Sequence, residues 1–125
     1  MKHLLDVNAL IALVWSSHTH HSAARQWRAQ KELVLCPITE LGFVRVSTSP
    51  AFNASMADAR QALADFIRDE KPDFIPADVR ALDGQVAPTS GKTTDFYLAN
   101  LADKHGLKLA TFDGSISHPA VEVVN

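Results

Sequence analysis

The sequence of 125 residues has little of three features that define large classes of proteins: cysteine, net charge and long apolar runs. Its one cysteine, Cys36, cannot build an internal disulfide framework, which favours a reducing, cytoplasmic location. A net charge of −2 lacks the overall basicity of many nucleic-acid-binding proteins, although a local patch or a metal can still meet phosphate. No apolar run approaches the roughly 20 residues of a membrane span, and Asp6 comes too early for a signal peptide, so we expect no membrane partner.

The order of apolar segments predicts one α/β domain over residues 1–125. Short apolar runs alternate with amphipathic segments, a pattern typical of a central, mostly parallel sheet of four to five strands with helices on both faces. We expect Thr93 or Thr94 to cap the last helix and Gly106 to end it. The predicted strands are 2–6, 33–36, 73–76, 107–112 and 121–124, and the predicted helices after the first are 21–31, 39–47, 55–70, 78–84 and 95–105.

Four of the fourteen acidic residues differ from the others in position. Asp6 and Asp113 close apolar strands, whereas Glu40 and Asp95 lie on the apolar face of a helix near its start. Each alone can be a helix cap or a turn residue. As a set they are expected at one sheet edge, where open α/β sheets bind ligands.

The chemistry of these four carboxylates points to a divalent metal. Buried carboxylates are costly unless they are paired or bind metal, and the sequence places few lysines or arginines beside them. Oxygen-only ligands suit Mg²⁺ or Mn²⁺. Such a site can activate water for phosphodiester hydrolysis.

Four segments of the sequence form a recognisable set: residues 4–15 (LLDVNALIALVW), 36–46 (CPITELGFVRV), 94–99 (TDFYLA) and 109–113 (LATFD). In their order and spacing they resemble the PIN-domain family, specifically the VapC-type toxins of toxin–antitoxin pairs. The resemblance covers nearly the whole chain. It implies a PIN-like fold and a Mg²⁺- or Mn²⁺-dependent endoribonuclease that forms a homodimer and is silenced by a cognate antitoxin.

The same resemblance assigns roles to individual residues. The metal-binding, catalytic acids of the family match Asp6, Glu40, Asp95 and Asp113. Its supporting polar positions match Asn8 and Thr111, for which we expect roles behind the metal ligands. Apart from the resemblance, the positive charges of Lys92 and Arg45 make these residues candidates for contact with RNA phosphate. The segment 90–94, just before Asp95, departs from the usual family pattern. This departure affects the substrate contacts expected of the segment, and it leaves the assignment of Asp95 unchanged.

Three other interpretations of the sequence are open. A phospho-acceptor, receiver-like signalling domain also uses an acidic Mg²⁺ pocket, but it needs an aspartate that ends a strand near residue 55, where the sequence predicts a helix. A catalytically inactive PIN module would act only by binding, and the presence of all four acids argues against it. His18, His20 and His21 suggest zinc, but no cysteine or further histidine follows at a suitable spacing.

Overall fold

The structure is a computed structural model that describes residues 2–124. Strands and helices alternate along most of the chain, as the sequence predicts. A short 3₁₀ turn, Ser90–Lys92, immediately precedes the last helix. The elements are β1 Lys2–Leu5, α1 Val7–Val14, α2 His21–Arg28, β2 Glu32–Leu35, α3 Pro37–Ser47, α4 Met56–Glu70, β3 Asp73–Phe74, α5 Thr93–Lys104, β4 Lys108–Thr111 and β5 Val121–Val123.

The five strands form one parallel sheet in the order β3-β2-β1-β4-β5. This confirms the predicted α/β class and the mostly parallel sheet. The chain turns to one side of β1 to form β2 and β3, and to the other side to form β4 and β5. The strand order therefore reverses between β1 and β4, and ligands of open α/β sheets bind outside the carboxyl ends at such a point.

Alternating side chains of the strands enter two separate apolar clusters. Leu5 and Ala110 pack with α1, α3 and α4 on one face, whereas Leu4 and Leu109 pack with α5 on the other. This alternation follows from the two-residue period of a strand. It confirms that helices cover both faces, and it leaves the carboxyl ends of β1 and β4 between the two helical layers.

Two local predictions were wrong. Residues 78–84 form bends and turns instead of a helix. Val79 packs against the core, but Leu82 is 94% exposed, so the segment has no continuous apolar face. Helix α5 begins at Thr93 itself, after Lys92 at the N-cap, and no threonine side chain caps it. The predicted end is confirmed, since Gly106 has φ +69° and Leu107 N–H bonds back to Ala102 O at 2.8 Å.

The strand order also argues against the receiver-like alternative. Receiver domains have the order 2-1-3-4-5, which differs from the order here. Ser55, in the region where a phospho-acceptor would end a strand, is instead the N-cap of α4 and accepts a hydrogen bond from Asp58 N–H. Within residues 2–124, no helix combines the length and apolar character needed to cross a bilayer.

Candidate active site

Asp6 lies where β1 ends and α1 begins. Its backbone N–H donates to Ala110 O at 3.1 Å, which continues the pairing of β1 with β4. Its Oδ1 accepts from Ala9 N–H at 2.7 Å and so caps α1. The Thr111 hydroxyl supplies a further hydrogen bond to the carboxylate. These contacts fix the orientation of a side chain that is only 2% exposed.

Burial raises the pKa of Asp6 to about 6. The hydrogen bonds from Thr111 and Ala9 oppose this shift, and the negative charges of Asp95 and Asp113 add to it. Asp6 therefore interacts electrostatically with the two acids that the sequence analysis placed at the same edge. A cation among these carboxylates would favour the ionised form of Asp6.

Asp95 projects from the first turn of α5 and is half-buried. The apolar side chains of Leu98 and Ala99 hold α5 against β1 and β4, which brings this first turn to the carboxyl edge of the sheet. Burial raises the pKa of Asp95; the Lys92 ammonium lowers it, and the Asp113 carboxylate raises it. The pKa of Asp95 thus depends on burial and on the opposing charges of Lys92 and Asp113.

Asp113 follows β4 and is engaged through both carboxylate oxygens. Its Oδ1 accepts from Ser115 N–H at 2.9 Å and from Ser115 Oγ at 2.6 Å. Its Oδ2 accepts from Lys92 Nζ at 2.5 Å. Lys92 and then Ser115 hold the pKa of Asp113 well below its usual range. The expectation that few cations stand beside the four acids is therefore wrong at Asp113.

Thr111 links two of these acids. Its hydroxyl bonds to the Asp6 carboxylate, and its Oγ accepts from Asp113 N–H at 3.0 Å. The side chain is fully buried. Asn8, the other predicted supporting residue, is exposed near the start of α1. Of the two supporting positions, Thr111 is the one for which the structure supplies contacts to the acids.

Glu40 is positioned by α3. It lies in the first turn of α3 and is partly buried, and burial by itself raises its pKa. Arg45 is exposed in the last turn of the same helix. Among the four acids, the charges of Asp95 and Asp113 raise the pKa of Asp6, and the charge of Asp113 raises that of Asp95.

The carboxylate oxygens of the three aspartates are the kind of donor that Mg²⁺ and Mn²⁺ prefer. Within the range 2–124, no three His, Cys, Asp or Glu side chains are grouped closely enough to form a metal site on their own. Mg²⁺ commonly takes only one or two carboxylates and completes its shell with water and substrate phosphate. Asp6 and Asp95 suit that role, whereas Lys92 already binds Asp113.

His18 and His20 before α2, and His21 at its start, contact aromatic rings and the backbone. His18 stacks on Phe52 and His20 stacks on Phe112, with ring centroids 6.4 and 4.7 Å apart. His21 Nδ1 lies 2.8 Å from Ala12 O. These contacts give the loop a packing role.

Sequence reasoning missed Ser115 and the pairing of Lys92 with Asp113. An Asp-Gly-Ser run at residues 113–115 is a signal that predicts the turn bonds, because aspartate side chains accept from the backbone two residues on. Lys92 has no comparable local signal, since it is 21 residues from Asp113.

Comparison with known proteins gives a consistent set of matches. The family model of the PIN domain matches residues 3–122. Ribonuclease VapC38 of Mycobacterium tuberculosis is 42% identical over 121 residues, which cover 90% of this chain and 86% of the relative. Ribonuclease VapC39 of the same species is 38% identical over 133 residues, covering 96% and 94%. A similar solved structure is that of VapBC2 from Rickettsia felis, bound to a DNA fragment from its promoter. This chain superposes on it with a TM-score of 0.65 over 100% of both chains, and at 12% identity the similarity concerns the fold alone.

Proposed function

The chain belongs to the PIN-domain family, among its VapC-type toxins, and we propose that it is an endoribonuclease that hydrolyses RNA phosphodiester bonds with Mg²⁺ or Mn²⁺. The observation that carries the proposal is the placement of Asp6, Asp95 and Asp113 at one edge of the sheet: Asp6 follows β1, Asp113 follows the neighbouring strand β4, and Asp95 lies in the first turn of α5. Relatives named ribonucleases, at 42% and 38% identity, support the choice of RNA as substrate.

In this proposal the carboxylates coordinate the cation, and hydrogen bonds from neighbouring residues fix the orientation of the carboxylates. Asp6 and Asp95 are the principal ligands, with Asp113 and Glu40 as further ones. When bound, the divalent ion supplies positive charge at the scissile phosphate and lowers the pKa of water. Thr111 keeps Asp6 in one orientation through its hydroxyl.

The remaining polar residues have lesser proposed roles. Asn8, exposed two residues after Asp6, supports the site from the first turn of α1. Arg45 and Lys92 contact the RNA backbone, since a chain of net charge −2 needs local cations to offset its repulsion of phosphate.

We further propose that the protein acts as a cytoplasmic toxin, forms a homodimer and is restrained by a cognate antitoxin. Exposed apolar side chains support contact with other proteins: Leu41 on α3 is 68% exposed and Met56 at the start of α4 is 55% exposed. Co-purification of the chain with a co-expressed antitoxin, and the mass of the free chain in solution, test these two partners separately.

The nuclease is tested by incubating the purified protein with total cellular RNA in Mg²⁺, Mn²⁺ or EDTA. Asp6→Asn and Asp95→Asn are the test variants, and Asp103→Asn is the matched control because Asp103 is exposed on the same helix as Asp95. Discrete fragments that require metal, persist in the control and vanish in both test variants would support the proposal. Equal cleavage by all four proteins would indicate contamination and contradict it. Failure of folded wild type to cleave would favour the inactive PIN module.

A further inference from the structure

Lys92 is the one residue of the acidic site that brings a positive charge in the part of the chain that the structure describes. It ends the 3₁₀ turn Ser90–Lys92 and is the N-cap of α5, three residues before Asp95. Its Nζ lies 2.5 Å from Asp113 Oδ2 and 2.7 Å from Ser115 Oγ. Its charge also acts on Asp95. The Lys92 ammonium thus lies at the acidic edge of the sheet, between the start of α5 and the end of β4.

We propose that Lys92 and a divalent cation compete for the Asp113 carboxylate, so that metal binding releases the Lys92 ammonium toward the RNA phosphate. This inference rests on the proposed function, because it names how one residue of that site responds to metal and substrate. Lys92 would thus pair with Asp113 in the metal-free protein and with a phosphate in the RNA-bound protein.

The contacts of Asp113 leave little room for two cations. Its Oδ1 already accepts two hydrogen bonds from Ser115, and its Oδ2 accepts from Lys92. A Mg²⁺ ion on Oδ2 at its usual distance of about 2.1 Å would lie at most about 4.6 Å from the ammonium at its present position. The two positive charges would repel each other strongly at that separation.

The side chain of Lys92 is able to leave. It is 26% exposed, and its hydrogen bonds go to Asp113 and Ser115 near the surface. Lysine carries a compact charge on a flexible stem, so it can move to a new partner while the backbone of the 3₁₀ turn stays in place. Ser115 keeps its own bonds to Asp113 Oδ1 and therefore holds the carboxylate ready for a metal.

A measurement of Mn²⁺ affinity tests the competition without relying on catalysis. Mn²⁺ binding to the full chain is followed by electron paramagnetic resonance, in the wild type, Lys92→Met and Lys92→Gln. Lys104→Met is the matched control, since Lys104 lies at the other end of α5 and pairs with Asp78. We expect both Lys92 variants to bind Mn²⁺ about tenfold more tightly than the wild type, a typical coupling between two sites, and the control to match the wild type.

A second measurement follows the RNA side of the exchange. Binding of a short RNA in Ca²⁺, under conditions without cleavage, should weaken in Lys92→Met, although its metal affinity is higher. Unchanged or weaker Mn²⁺ binding by both folded variants would overturn the inference even if the wild type cleaves RNA. Tighter Mn²⁺ binding by the variants, with no RNA cleavage by the wild type, would support the competition and refute the proposed nuclease. Absence of Mn²⁺ binding in every protein would overturn both.

Discussion

Replacement of Asp6 by asparagine should stabilise the metal-free protein. The carboxylate is 2% exposed, and its pKa is raised from 3.8 to about 6. At about 1.4 kcal/mol for each pKa unit, ionisation of Asp6 in the folded state costs on the order of 3 kcal/mol. Asparagine has nearly the same shape and no charge, and its amide oxygen can still accept from Ala9 N–H to cap α1.

The size of this stabilisation depends on pH. Because the folded pKa of Asp6 lies above the unfolded value, the protonated form contributes stability below pH 3.8, and this stability is lost as the pH rises through about 6. Asp6→Asn does not titrate. Its gain over the wild type should therefore be about 2–3 kcal/mol at pH 8 and become small near pH 4.

Urea unfolding followed by circular dichroism, in EDTA at pH 8 and at pH 4, measures this difference. Asp103→Asn serves as the control for loss of one exposed charge from the surface. An Asp6→Asn protein that is less stable than the wild type at pH 8, or that differs from it equally at both pH values, would refute the reasoning. Added Mg²⁺ should stabilise the wild type more than the variant, because only the wild type has the full carboxylate set.

Two further predictions concern the scaffold. A Cβ at Gly42 would lie 2.3 Å from Val7 Cγ2, so Gly42→Ala should lower the free energy of unfolding by about 1–3 kcal/mol, even though alanine favours helix more than glycine does. Urea unfolding measures this loss. The additional substitution Val7→Ala should restore much of it, because it removes the clashing methyl groups. Burial lowers the pKa of His118, whose Nε2 donates to Asn100 Oδ1 at 2.8 Å while Nδ1 accepts from Ala120 N–H at 3.0 Å. The neutral ring of His118 therefore stabilises the fold above pH 6.5, and this stability is lost as the pH falls below that value. An NMR titration of the folded protein that placed the pKa of His118 at or above 6.5 would contradict the prediction.

The positions of Asp6 and Asp113 were predictable because both follow apolar runs that become neighbouring parallel strands. Leu5 pairs with Ala110 in the observed register, so the residues that come next must meet at one edge. Asp95 was predictable for a different reason. The apolar stripe of Leu98 and Ala99 orients the first turn of α5 toward the sheet.

Features that depend on contacts between distant segments could not be predicted in this way. Residues 78–84 are held by the Asn100 side chain, which donates to Asp83 O at 3.2 Å and accepts from Gln85 N–H at 3.0 Å. The pair of Lys92 with Asp113 likewise joins the 3₁₀ turn before α5 to the turn after β4. The periodicity of apolar residues predicts neither contact, because neither one repeats along a helix or strand.

Glu40 illustrates a limit of the same argument. Its spacing to the apolar residues of α3 predicts a carboxylate on an inward face, and partial burial agrees with that. Spacing within one helix, however, does not determine how far the first turn of α3 lies from that of α5. Burial accounts for the raised pKa of Glu40, whereas the charges of neighbouring acids contribute at Asp6 and Asp95.

The central claim is that Asp6, Asp95 and Asp113 act as one cation-dependent nuclease site. The most direct test is the single-turnover cleavage rate of one defined RNA substrate as a function of Mg²⁺ concentration, for the three single Asp→Asn variants and for Asp103→Asn. We predict that each of the three variants cleaves at least about 100-fold more slowly, that Asp103→Asn matches the wild type, and that EDTA abolishes cleavage. Wild-type rates in the folded variants, or cleavage that persists in EDTA, would contradict the claim.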